Sequence, residues 1–310
     1  MFGLVKAPDR DGKLAYEEWG DPKGYPVFLL HGTPGSRLGP KPRTFELHKL
    51  GIRLIAYDRP GYGESNRHAG RDVAHAANDV LAIADHLRLR RYSVVGRSGG
   101  GPHALACAAL SPDRVASAAA VVTVAPPDAE GLDWLAGMAE SNVMTYEMME
   151  NSLGLTQVGA LLARNAQAIR RNPSSLLSSL SEEMPDVDRL IVEDAGIRDL
   201  LMLNYLSAVG EFTGARTELG DPPEPTGWLD DLVSFRKPWG FYPEKIESVP
   251  VLLWHGEQDV FSPVSHFRWL ADRIPGASAV LHAVLQPSAA HFAALPALPP
   301  ILAWVRDNAV

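Results

Sequence analysis

Between Arg91 and Leu110 the chain reads RYSVVGRSGGGPHALACAAL. A β-branched run leads into one serine set among four glycines, and small apolar residues at helical spacing follow. Few folds accommodate this order. The glycines let strand and helix approach so closely that side chains beside the turn would collide, and they allow the central residue an unfavourable backbone conformation. The stretch therefore predicts a strand, a sharp turn at Ser98 and a helix packed back on the strand. The same alternation recurs along the chain. KLAYEEW, PVFLLH, IRLIAYD, RYSVVG, ASAAAVVTV, VPVLLWHG and SAVLHAVL read as strands. Segments of helical period lie between them at 37–50, 71–87, 99–110, 264–274 and 292–308, with Val73, Ala77, Val80, Leu81 and Ala84 on one face of the second. Strands alternating with helices predict an α/β architecture with a mostly parallel central sheet flanked by helices.

The alternation stops after Val124. Up to about Lys245 the chain gives amphipathic helical stretches and no convincing strand, and the pattern returns at Val249-Pro250. The domain division expected is a core of residues 1–124 and 246–310 with a helical insertion at 125–245. Within it GDPPEPTG, 220–227, is dense in proline and glycine and reads as a loop.

Charge and composition exclude several functions. The net charge is −8 and the cations form no stripe, which argues against nucleic acid or an anionic membrane surface as partner. The longest apolar segment, VASAAAVVTVA, is too short to span a bilayer. The N-terminus lacks the apolar core of a signal peptide, so a cytoplasmic protein is expected. The lone Cys107, inside ALACAAL, reads as helix packing. No cofactor is expected: the histidines are scattered without the spacing of metal ligands, and no nucleotide is implied, because GRSGGG lacks the Lys-Ser/Thr of a phosphate loop.

Gly96-Arg97-Ser98-Gly99-Gly100 fits G-x-S-x-G, a pattern that presents a serine nucleophile when strand and helix flank it. A serine hydroxyl is a weak nucleophile at neutral pH and needs a base, most often a histidine oriented by a carboxylate. Asp259, past the apolar end of VLLWHG, and His291, after the next strand, stand at the carboxyl ends of later strands, where they would meet Ser98. Glu257 and Asp128 are alternative acids. His255 belongs to a strand end, where packing is the better reading. Charge developing on a carbonyl oxygen also needs donors. Gly99 N–H supplies one and Thr33 N–H, in the loop HGTPGSR, the other.

These elements resemble the α/β-hydrolase family over essentially the whole chain. HGTPGSR, YDRPGYGES, VVGRSGGGPHA, VLLWHGEQD and AAHFA occur in the family's order. The resemblance implies the α/β-hydrolase fold, Ser98 as nucleophile, His291 as base, Asp259 as acid, an oxyanion hole of Thr33 and Gly99, and an insertion that caps the site. Asp58 would help to hold the loops above the sheet, and 59–63 would form a structural turn. Members with an aspartate nucleophile are disfavoured by Ser98, and the lipase-like HGGG is absent. Proline iminopeptidases look similar around the first loop. Glu147, Glu150 and Glu211 are the residues that could hold a free amino terminus, though solvated helix faces are the better reading for them.

The reaction expected is hydrolysis of a carboxylic ester of a small to medium apolar or aromatic molecule. A cofactor-free perhydrolase or lyase on the same triad, an aminopeptidase of the iminopeptidase kind and a ligand-binding receptor are the alternatives. Tyr146, Met149, Trp239 and Phe241 are candidate substrate contacts, with Trp134, Met138, Met148 and Tyr242 near them. Arg97 has no role that the sequence assigns.

Overall fold

Five of the strands are buried on both sides because helices cover both faces of the sheet, and this is why they read as near-continuous apolar runs. The computed structural model describes residues 1–212, 224–275 and 281–310. The strands are β1 (Phe2–Lys6), β2 (Lys13–Gly20), β3 (Tyr25–Leu30), β4 (Ile52–Tyr57), β5 (Tyr92–Arg97), β6 (Val115–Val121), β7 (Val251–Gly256) and β8 (Leu281–Gln286). They form one eight-stranded sheet in the order β1-β2-β4-β3-β5-β6-β7-β8. Strand β2 runs antiparallel to both of its neighbours, and the strands from β4 to β8 are parallel to one another.

Period-two alternation sends successive side chains to opposite faces. Phe28 and Leu30 of β3 join one core, under helices α2 (His75–His86), α3 (Gly101–Leu110) and α10 (Val264–Arg273). Val27 and Leu29 join the other, under α1 (Thr44–Lys49) and α11 (Leu298–Asp307). Each fully buried aliphatic side chain contributes about 1.5–3 kcal/mol relative to an exposed one.

Chain direction across the sheet reverses at β3. The connection after β3 leads to β4 on one side, whereas β5 lies on the other and leads on to β6. Loops that leave neighbouring carboxyl ends in opposite directions open a crevice there, the usual site for a ligand in such sheets. HGTPG and the Ser98 turn are the two loops at this point.

Between β6 and β7 the described residues hold helices and no strand: α4 (Glu140–Met149), α5 (Gly154–Arg171), α6 (Ser175–Glu183), α7 (Asp186–Glu193), α8 (Ala195–Ala208) and α9 (Thr226–Phe235). Residues 220–223 of the expected loop lie outside the described ones, and Thr226 and Gly227 open α9 instead. Residues 278–280 of SAVLHAVL are likewise outside them.

Several elements differ from the sequence reading. Strand β1 was not expected; it is an edge strand with an eight-residue partner, and Phe2, Leu4 and Lys6 of its five residues face solvent. The helix expected over 37–50 is cut to Thr44–Lys49, because Pro40 and Pro42 interrupt it and Arg37 is turned inward to Asp58. A 3-10 turn at Ser98–Gly100 precedes α3. The helix expected over 292–308 begins only at Leu298, after a short 3-10 turn and Pro296.

Candidate active site

Ser98 stands where β5 ends, and its φ of +53° is in the left-handed region that non-glycine residues avoid. Such a conformation costs on the order of 1–3 kcal/mol and persists only where the surroundings impose it. The surroundings here are glycines. A Cβ at Gly96 would strike the carbonyl of Gly100, and one at Gly99 would strike Thr33 Oγ1. The close approach at Gly99 sets the Ser98 turn against the HGTPG loop. The backbone N–H groups of Thr33 and Gly99 donate to no described residue, and both residues line the same cavity as Ser98. The Thr33–Pro34 peptide is cis.

His291 bridges the other two groups. Its Nδ1 lies 2.8 Å from Asp259 Oδ2 and its Nε2 3.0 Å from Ser98 Oγ. A carboxylate accepts only, so Nδ1 carries the proton and Nε2 offers its lone pair to the serine hydroxyl. Asp259 is held in turn: Oδ1 accepts from Phe261 N at 2.8 Å and Ser262 N at 2.9 Å. His255 sits behind it with Nε2 bonded to Ser262 O at 2.7 Å. Burial pushes the His255 imidazole toward the neutral form, against the nearby Asp259 carboxylate. Of the alternative acids, Asp128 is exposed and lines a different cavity, and Glu257 is exposed and pairs with Arg268 at 3.4 Å.

Two carboxylates that sequence reasoning missed reach these loops from the insertion. Asp188 of α7 accepts His291 N at 3.0 Å and Phe292 N at 2.8 Å, one on each oxygen. Burial raises the Asp188 carboxyl, and the neighbouring His291 opposes this. Asp231 of α9 is fully buried; it accepts Thr33 Oγ1 at 2.6 Å, Arg59 Nη2 at 2.6 Å, Arg71 Nη2 at 2.5 Å and Tyr62 OH at 2.9 Å. Burial alone would raise its carboxyl, but the guanidinium groups of Arg59 and Arg71 hold it well below the usual carboxylate range. Arg59 also donates to His31 O and, at 2.9 Å, to Gly32 O, so it clamps the carbonyls that precede the Thr33 N–H. Below this, Asp58 accepts Arg37 N at 2.7 Å and Glu64 N at 3.0 Å and pairs with the Arg37 guanidinium, tying the two loops together. The only local signs of these contacts are the adjacent Asp58 and Arg59 in YDRPGYGES and the paired Asp230 and Asp231 in LDD.

The cavity over Ser98 has a volume of about 140 Å³. Its floor is Thr33, Pro34, Arg97, Gly99, Val124 and His291; its roof is Tyr146 of α4, Leu176 and Leu180 of α6, Tyr205 of α8, and Trp228, Leu232 and Phe235 of α9. Tyr146 is therefore at the cavity. Met149 is not among its lining residues. Trp239 and Phe241 are a correction: they are buried, tilted against each other at 5.7 Å, and line a separate cavity with Pro126 and Asp128. The Trp239 carbonyl accepts Ala74 N at 2.9 Å, so this pair docks the end of the insertion onto the start of α2. Glu147 and Glu150 are exposed, Glu150 pairs with Arg236 at 3.2 Å, and Glu211 lies 3.9 Å from Arg170; none of the three lines the Ser98 cavity.

Among the described residues one group has metal-ligand spacing, Asp9, His68 and His75, with ligand atoms within 4.8 Å of one another. Asp9 already pairs with Arg10 at 2.5 Å and His75 with Asp72 at 2.6 Å, and none of them lines the Ser98 cavity. No helix among the described residues is long and apolar enough to cross a membrane.

Over 127 residues the chain is 38% identical to a non-heme chloroperoxidase of Streptomyces lividans, covering 40% of this chain and 46% of that protein. Over 105 residues it is 34% identical to a proline iminopeptidase of Arabidopsis thaliana, covering 33% of this chain and 27% of that protein. The chain thus matches less than half the length of these curated relatives. Two solved structures align along nearly the whole chain. A putative aryl esterase from Burkholderia cenocepacia has a TM-score of 0.65 at 24% identity, covering 99% of both chains. Esterase RhEst1 from Rhodococcus sp. ECU1013 has a TM-score of 0.63 at 20% identity, covering 99% of this chain and 97% of that one. The family model for the alpha/beta hydrolase fold matches residues 25–294, from the first residue of β3 to just past His291, and the chain belongs to that family.

Proposed function

We propose that the protein is a serine hydrolase that cleaves a carboxylic ester through an acyl-enzyme on Ser98. The observation that carries this reading is the position of His291, with one ring nitrogen on Asp259 at 2.8 Å and the other on Ser98 Oγ at 3.0 Å. As Ser98 Oγ attacks the ester carbonyl, His291 Nε2 takes the hydroxyl proton, and Asp259 stabilises the imidazolium. The negative oxygen of the tetrahedral intermediate sits between the N–H groups of Thr33 and Gly99; a single such donor is worth roughly 100- to 1000-fold in rate. His291 then protonates the leaving alkoxide. Water repeats the sequence on the acyl-enzyme and releases the acid.

The roof of Leu176, Leu180, Trp228, Leu232 and Phe235 favours an apolar or aromatic body. An aminopeptidase reading lacks support, since Glu147, Glu150 and Glu211 lie off the cavity. The test is fluorophosphonate labelling together with 4-nitrophenyl esters of increasing acyl length, for wild type and Ser98→Ala. Labelling and turnover that disappear together in Ser98→Ala are expected; a wild-type protein that neither labels nor hydrolyses any ester refutes the reading.

A further inference from the structure

Arg97 separates Gly96 from the nucleophile, and its side chain lines both the Ser98 cavity and a smaller one under the HGTPG loop. Its Nη2 lies 3.5 Å from where a Cβ on Gly32 would stand, and Ser98 Cβ lies 3.4 Å from the same point. The guanidinium is therefore beside the oxyanion loop and close to the reacting serine.

Every other inward-turned arginine at this end of the sheet has a carboxylate. Arg37 pairs with Asp58, and Arg59 and Arg71 pair with Asp231. The Arg97 side chain makes no hydrogen bond and no ion pair with a described residue. Tyr205, Asp188 and Asp259 act on it only at longer range, and both carboxylates already accept hydrogen bonds on each oxygen. The Arg97 side chain is half-buried at the cavity wall, so its guanidinium is open to a group that a ligand brings. It is also the one charged cation among the residues lining an otherwise largely apolar cavity. A planar guanidinium is suited to a carboxylate, which it can bind through two parallel hydrogen bonds.

We infer that the ester's acyl part carries a carboxylate a few bonds from the scissile carbonyl, and that Arg97 receives it beside Ser98. The inference rests on the serine-hydrolase reading for its chemistry and names the substrate class as half-esters of short dicarboxylic acids. Arg97 is then a specificity residue: it pairs with the acid of the acyl chain while Thr33 and Gly99 hold the reacting carbonyl.

The experiment compares mono-4-nitrophenyl glutarate with the neutral 4-nitrophenyl pentanoate in wild type, Arg97→Gln and Arg97→Lys. The ratio of the two kcat/KM values is the readout, so a general loss of activity or of folded protein cancels. A ratio that falls at least tenfold in Arg97→Gln and recovers in part in Arg97→Lys is expected; a ratio equal in wild type and Arg97→Gln overturns the inference. Calorimetric titration of the glutarate half-ester into Ser98→Ala and into Ser98→Ala/Arg97→Gln measures the anion site without turnover. Binding at least tenfold weaker in the double variant is expected, and equal or undetectable binding in both overturns it. If neither ester is hydrolysed and Ser98 is not labelled, the hydrolase reading fails, and the titration still decides whether Arg97 binds the carboxylate.

Discussion

Asp231 accepts the Thr33 hydroxyl at 2.6 Å, although 198 residues of chain separate them. The contact joins α9 of the insertion to the loop expected to stabilise the oxyanion. Because Asp231 also holds Arg59, which grips the carbonyls of His31 and Gly32, the direction of the Thr33 N–H depends on a carboxylate outside the sheet. The insertion is part of the machinery that shapes the site as well as its roof.

Asp231→Asn should therefore lower both stability and turnover. It leaves Arg59 and Arg71 buried with a neutral partner, and breaking a buried ion pair from one side costs about 3–5 kcal/mol. Urea unfolding should show a loss of at least about 2 kcal/mol. With 4-nitrophenyl esters kcat should drop more than KM rises, because the displaced donor acts on the transition state. A variant with wild-type kcat and midpoint would show that the oxyanion loop holds its shape without this carboxylate.

Asp188 makes the parallel connection to His291, with each oxygen taking one backbone N–H of the His291 loop. Asparagine has one acceptor oxygen and would orphan one of the two donors, at about 1–3 kcal/mol. We expect Asp188→Asn to reduce kcat/KM on the order of 10-fold and to slow fluorophosphonate labelling of Ser98 in proportion, because a shift of about 1 Å in a reacting group is enough for such losses. Reduced stability with unchanged labelling would confine Asp188 to docking α7.

The proposed role of Asp259 as the acid is tested by Asp259→Asn beside Asp128→Asn. An amide at 259 would favour the tautomer with Nε2 protonated, which cannot take the Ser98 proton, and losses near 10⁴-fold follow from that error elsewhere. Asp128 is exposed on another cavity, so its variant should keep wild-type rates. The reverse pattern in esterase assays would reassign the acid.

Strand ends made much of the candidate site legible. Ser98, Asp259 and His291 each follow a recognisable apolar run, and strands in one parallel sheet deliver their carboxyl ends to one edge. Asp188 and Asp231 were invisible because helical aspartates look like solvated faces until tertiary packing brings them 103 and 198 residues along the chain to His291 and Thr33. The aromatic cluster at Trp239 and Phe241 misled for a related reason: composition shows that a segment buries rings but not which surface it buries them against. Strand β1 was missed because an edge strand with one wet face carries too little hydrophobic signal in five residues.

The response to pH should carry two opposite signatures. His266 accepts Ala125 N on Nδ1 at 3.0 Å and bonds Trp134 O through Nε2, so only the neutral ring satisfies both contacts. Burial lowers its pKa from 6.5 to about 4. A histidine depressed in the folded state contributes stability that is complete above 6.5 and lost as pH falls through 4, about 2 kcal/mol of it by pH 5. Asp79 behaves the other way. Burial raises its pKa from 3.8 to about 6 despite the Arg10 guanidinium at 2.9 Å, so its contribution is complete below 3.8 and is lost as pH rises through 6. Urea unfolding at pH 7.5 and pH 5 should show wild type falling toward His266→Gln on acidification, the gap narrowing by about 2 kcal/mol. Against Asp79→Asn the sign reverses, and the variant should gain on wild type from pH 5 to 7.5. Parallel pH profiles for wild type and His266→Gln would mean that the ring is not held neutral between Ala125 and Trp134.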